Sequence, residues 1–129
     1  MSGSAPSQRQ LRVGEAIRHA LAEIFSRGET GDPEIERLGI TVLQVAVSPD
    51  MRIATAYVRP FVEGRGPALL AALERNRRYV RGLLSPRLKM KFMPEVRFRI
   101  DSAADYAAHI DELLSDPSVR RDIGKDRDD

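Results

Sequence analysis

The chain has 129 residues, 42% hydrophobic and 31% charged, with a formal net charge of only +2, enough for one domain with a core of moderate size. It has no cysteine, which excludes a disulfide framework and a thiolate metal site and is compatible with a reducing compartment. The opening MSGSAPSQRQ lacks the apolar run of a secretory signal, and no run approaches the ~20 apolar residues that cross a bilayer, so a soluble, cytoplasmic protein is expected.

Residues 1–6 are small and polar, and are expected to be disordered. From Ser7, a candidate N-cap, Val13, Ile17, Ala20, Leu21 and Ile24 recur with helical period as one apolar stripe. Arg9, Arg12, Arg18 and His19 lie off that stripe. The glycines and the Asp-Pro pair of GETGDPEIERLG (28–39) predict a loop, anchored by Ile35 and Leu38. ITVLQVAV (40–47) is β-branched and reads as a strand, with Leu43, Val45 and Val47 on one face and Ile40, Val42 and Ala46 on the other. Apolar residues on both faces predict cover on one side and partial cover on the second. SPDM (48–51) predicts a turn into RIATAYV (52–58), giving a hairpin.

Pro67 suits the first turn of the next helix, with Leu69, Leu70 and Leu73 inward. A second stripe of Val80, Leu83, Leu84, Leu88 and Phe92 is out of phase with the first, which predicts a kink near Asn76–Arg78. Ser85-Pro86 predicts a further interruption. EVRFRI (95–100) alternates strictly, with Val96, Phe98 and Ile100 inward and Arg97 and Arg99 outward. A short helix is expected over 102–116 from its N-cap Ser102, and residues 115–129 read as a disordered charged tail. The domain is thus expected over 7–114: an α+β layer structure, α-β-β-α-kink-α-β with one three-stranded sheet backed by helices, plus a short C-terminal helix.

The charge is unevenly spread. Residues 75–99 hold nine basic residues against the single acid Glu95, whereas 100–129 hold nine acids against four bases. Solvated helix faces usually alternate sign, because like charges three or four residues apart repel by a few tenths of a kcal/mol. Arg75/Arg78, Arg77/Arg81 and Arg78/Arg81 are such pairs. Local stability opposes the pattern, so a polyanionic partner that offsets the repulsion is the better reading. The guanidinium fork suits phosphate. Arg75, Asn76, Arg77, Arg78, Arg81, Arg87, Lys89 and Lys91 form the candidate nucleic-acid-binding set, with Arg9, Arg12 and Arg18 as a second contact. Tyr79 fits either a stacked base or a boundary core position. An aromatic content of 5% is too poor for a broad stacking platform.

Other chemistry has little to stand on. The sequence carries no HExxH, G-x-G-x-x-G, P-loop or GxSxG. His19 and His109 fall on different predicted helices and have no cysteine partner, so no metal and no cofactor is expected. Asp50 reads as a turn residue and Ser48 likewise. No nucleophile and base can be paired by spacing.

VAVSPDMRIATAYV (45–58) resembles the hairpin of the bacterial ribosome-binding factor A family. LERNRRYVRGLLSPRLKMKFMPEVRFRID (73–101) resembles it too, with Arg81, Leu84, Leu88, Pro94, Glu95, Phe98 and Asp101 where the family pattern has them. Arg9, Arg12, Val13 and Ile17 match its opening helix, and the likeness runs over residues 8–116. It implies a type II KH-like domain in which a helix–kink–helix replaces the GXXG nucleic-acid loop. It also implies a non-enzymatic factor that associates with free small ribosomal subunits, assists late maturation of their RNA, including its 5′ end, and supports growth in the cold. A monomer contacting the ribosomal RNA through the basic set is the expectation. One departure stands out: the family's Ala/Ser-x-Gly at the kink is Asn76-Arg77-Arg78 here. The alternative is a KH-like regulator of RNA or DNA unrelated to the ribosome. A third possibility, a small enzyme using Asp50 or Glu95, lacks an acid–base pair.

Overall fold

The computed structural model describes residues 5–101. The expected helix over 102–116, the tail over 115–129, His109 and the first four residues lie outside that range. The elements are α1 (Gln8–Ser26), α2 (Pro33–Leu38), β1 (Thr41–Val47), β2 (Ile53–Arg59), α3 (Gly66–Arg75), α4 (Arg77–Leu88) and β3 (Glu95–Ile100).

Helix α1 starts at a reciprocal capping box. The Ser7 hydroxyl accepts the Gln10 N–H at 3.1 Å, and the Gln10 side-chain oxygen accepts the Ser7 N–H at 2.8 Å. The Gln10 amide also donates to the Val47 carbonyl at 2.8 Å, pinning the start of α1 to the end of β1. The predicted stripe faces inward, with Ile17, Leu21 and Ile24 fully buried. Gly14 brings the helix backbone so near the sheet that a Cβ there would lie 2.5 Å from the Val45 carbonyl oxygen.

The segment expected to be a loop over 28–39 contains α2. Asp32 accepts the N–H groups of Glu34 and Ile35 at 2.8 and 3.4 Å, and Pro33 occupies the first turn. Asp-Pro, read as a turn, here combines an N-cap with a proline whose missing N–H costs nothing at a helix start. Ile35 and Leu38 are buried, as expected of anchors.

The sheet has the order β1-β2-β3. β1 and β2 form the antiparallel hairpin, and β3 lies parallel to β2 with Ala56 opposite Phe98. A parallel neighbour requires a crossover connection, which α3 and α4 supply. The β1 faces differ from the expectation. A bulge between Val42 and Gln44 inserts one extra residue, so Val42 faces the same side as Val45 and Val47, and all three are buried. Among the described residues only one face of the sheet is packed. The other carries exposed Arg59, Arg97 and Arg99, and half-buried Thr55 and Tyr57. Alanines at 54 and 56 on β2 are completely buried and keep the packed face shallow enough for helices to sit close.

The expected interruption at Ser85-Pro86 is absent: α4 runs through Pro86 to Leu88. The proline sits in the last turn, where the carbonyl deprived of its partner is that of Gly82, a residue with open space at its Cβ position. The neighbouring Leu83 carbonyl accepts the Arg87 guanidinium at 2.9 Å. Lys89, left-handed with φ 53°, then ends the helix. The apolar stripe ends there too. Val80 and Leu84 are fully buried and Leu83 and Leu88 half-buried, but Phe92 is 76% exposed in the following loop.

Candidate nucleic-acid interface

The kink falls where the phase change placed it. Asn76 alone separates α3 from α4, with φ −104° and ψ 9°. This is the bridge region, which needs no glycine. Its backbone N–H is shared between the Ala72 and Leu73 carbonyls at 3.2 and 3.1 Å, and its carbonyl accepts the Val80 N–H at 2.8 Å. The side-chain amide donates to the Ala72 carbonyl and to Asp32 Oδ2, each at 2.8 Å. That second bond crosses to the N-cap of α2. It is the first cause that holds the Asp32 carboxyl below its ordinary value, with the Glu34 and Ile35 N–H groups and Arg75 adding to it. The asparagine at the family's Ala/Ser position therefore clamps the kink from inside.

The cations of the predicted set divide by what they already hold. Arg87 bridges α4 to the end of α1. It donates to Glu29 at 2.6 and 2.7 Å and to Glu23 at 3.3 Å, and hydrogen bonding to Glu29 raises its pKa. Arg81 donates to the Met93 and Pro94 carbonyls at 3.0 and 3.4 Å, fixing the chain between α4 and β3. Arg18 is held by Glu15 through three donor contacts of 2.7 to 3.1 Å, which raise the Arg18 pKa and lower that of Glu15. Asn76, Arg81, Arg87 and Arg18 thus have donors committed to the scaffold.

Arg75 and Arg77 hold looser partners. Arg75 lies 3.6 Å from Asp32, and Arg77 lies 3.8 Å from both Glu74 and Glu95. The Arg77 pairs are solvent-exposed and contribute about 0–1 kcal/mol, and Arg75 is itself exposed and only loosely placed on the half-buried Asp32, so a phosphate can displace them. Arg78, Lys89, Lys91, Arg9 and Arg12 have no carboxylate partner among the described residues. Tyr79 is 54% exposed beside Arg78, on the solvent side of α4. Two residues near these cations were not singled out in the sequence. Phe92 was counted with the apolar stripe, although Met93-Pro94 immediately after it signals extended chain. Arg52 was read only as the start of β2.

Asp50 has a structural task. Its carboxylate accepts the Ser48 hydroxyl at 2.7 Å and the Arg52 N–H at 3.1 Å, and the first of these chiefly lowers its pKa. Among the described residues no three His, Cys, Asp or Glu side chains gather to hold a metal ion, and no helix is long and apolar enough to cross a membrane.

An α-β-β-α-kink-α-β order on a three-stranded sheet, with the short α2 inserted before β1, is that of a KH-like domain. The chain belongs to the ribosome-binding factor A family, whose model matches residues 9–114. It is 47% identical to ribosome-binding factor A of Sinorhizobium fredii, over 99% of this chain and 96% of that one. It is 49% identical to the Methylobacterium sp. (strain 4-46) protein, over 98% and 91%. The crystal structure of the Thermus thermophilus factor covers 70% of this chain and 94% of its own, at 28% identity and a TM-score of 0.60. A homology model of the Thermus thermophilus factor, fitted into a cryo-electron-microscopy map of a 30S complex, matches at 32% identity and a TM-score of 0.54, covering 68% and 90%.

Proposed function

We propose that this protein is a ribosome-assembly factor that binds the free small ribosomal subunit through its ribosomal RNA. It assists late maturation of that RNA, including the 5′ end, and performs no chemistry of its own. It acts as a cytoplasmic monomer and supports growth in the cold. The observation that carries this reading is the group of cations without carboxylate partners among the described residues, Arg78, Lys89 and Lys91 with Arg9 and Arg12, on the frame of a family whose Thermus thermophilus member has been fitted into a 30S complex. Arg75 and Arg77 join them by exchanging weak surface pairs for phosphate. Asn76, Arg81, Arg87 and Arg18 hold the surface in shape.

Phosphate contacts release counterions, so affinity falls steeply with salt. The test is co-sedimentation of the Arg77→Ala/Arg78→Ala variant with purified small subunits across a salt series. Binding is expected to weaken and the salt slope to shrink by roughly one to two units, with the melting temperature nearly unchanged. Unchanged affinity and slope would return the segment to a solvated charged face.

A further inference from the structure

An open groove of about 980 Å³ lies between the start of α1, the β1–β2 turn and the chain between α4 and β3. Among the described residues its cations are Arg9, Arg52 and Lys91, against the one acid Asp50. Asp50 accepts the Ser48 hydroxyl and the Arg52 N–H, and the exposed Arg52 guanidinium reaches it only at 4.0 Å, so three cations against one carboxylate leave an excess of positive charge among the described residues. The walls are deformable, lined by Met51, Met90 and Met93 together with Val13. At its rim stands Phe92, 76% exposed, with the Lys91 ammonium 5.6 Å from the ring centroid.

The backbone is bent to hold this arrangement. Met51 has φ 64°, a left-handed conformation that glycine would take without strain. The turn is closed by the Met51 N–H to the Ser48 carbonyl at 2.9 Å, so the conformation is imposed by the hairpin. Lys89, with φ 53°, redirects the chain so that Met90 to Met93 form the opposite wall. Strain of this kind gathers at binding sites.

We propose that this groove takes an unpaired nucleotide of RNA, with its base stacked on Phe92 and its flanking phosphates held by Arg9, Arg52 and Lys91. The inference rests on the RNA-binding reading and names what that surface binds there: a single-stranded segment rather than a helix. An exposed aromatic flanked by cations recognises single strands, because every base offers a π-face that is hidden inside a duplex. The site also gives the protein two separable contributions. The cations respond to salt and the ring does not.

The chain contains no tryptophan, so Phe92→Trp places one fluorophore at the site. The probe is a ten-nucleotide single-stranded RNA, with the same sequence as a duplex for comparison. Quenching on the single strand and little on the duplex is expected. Phe92→Leu and Phe92→Ala should weaken single-strand binding by about 5- to 150-fold at an unchanged salt slope. Lys91→Ala should reduce that slope by roughly one unit. Because Phe92 is exposed, melting temperatures should match the parent. Equal affinity of the Phe92 variants for single strands, or equal quenching by duplex, overturns the stacking site while leaving subunit binding intact. Weaker subunit binding by Phe92→Ala with unchanged single-strand binding overturns it as well and assigns the groove to a ribosomal protein. Failure of the parent protein to bind either RNA or subunits would instead bring down the RNA-binding reading itself.

Discussion

Replacing Asn76 by alanine restores the residue type common at the kink in the family, yet here it should destabilise. The substitution removes two hydrogen bonds of 2.8 Å, one to the Ala72 carbonyl and one to the Asp32 carboxylate. A bond to a charged acceptor contributes about 1.5–3 kcal/mol and a neutral one about 0.5–1.5 kcal/mol. Asp32 keeps the Glu34 and Ile35 N–H groups and Arg75, and its side chain is 15% exposed, so water recovers part of the loss. Alanine's better helix propensity returns a few tenths of a kcal/mol. A net loss of about 1–2 kcal/mol at neutral pH follows. The pH dependence has a definite sign. The Asn76 amide is the first cause that holds the Asp32 carboxyl below its ordinary value. Its contribution is therefore complete above the unfolded value and is lost as pH falls through the folded one. Urea unfolding of parent and variant should show a gap at pH 7 that narrows below about pH 4. Equal stability at pH 7, or a gap unchanged in acid, would refute the clamp.

Two further outcomes are expected. Gly14→Ala should lower stability by about 1 kcal/mol or more, although the same change in an open helix raises it by about that much. A Cβ 2.5 Å from the Val45 carbonyl forces α1 off the sheet. A rise in the thermal midpoint would show that the helix can shift freely. Arg87→Ala should lower the thermal midpoint through loss of the α4 to α1 bridge to Glu23 and Glu29, whereas Arg78→Ala should not. In a salt series with small subunits, Arg78→Ala should reduce the slope and Arg87→Ala should not. The reverse pattern would exchange their roles.

The sequence by itself determined the elements whose signals are local. The α1 stripe, the alternation of EVRFRI and the turn at Ser48–Met51 each follow from periodicity or turn chemistry within a few residues, and each is in the structure. The kink was legible because two apolar stripes fall out of phase around Asn76. The bulge in β1 was not legible, since only the register against β2 reveals that Leu43 is the extra residue. Nor was α2, where Asp32-Pro33 fits a turn and a helix start equally well until Ile35 and Leu38 find a core to enter. The run of basic residues is plain in the sequence, but which of them stay available for phosphate is decided across the fold. Arg87 meets Glu29 from 58 positions away, and Asn76 meets Asp32 from 44. Phe92 shows the same limit: its spacing continues a helical stripe, but the left-handed Lys89 ends the helix and leaves the ring in solvent. Periodicity specifies which residues can share a face. Only the packed chain, by bringing distant charges and walls together, decides whether that face meets a core, an ion partner or open water.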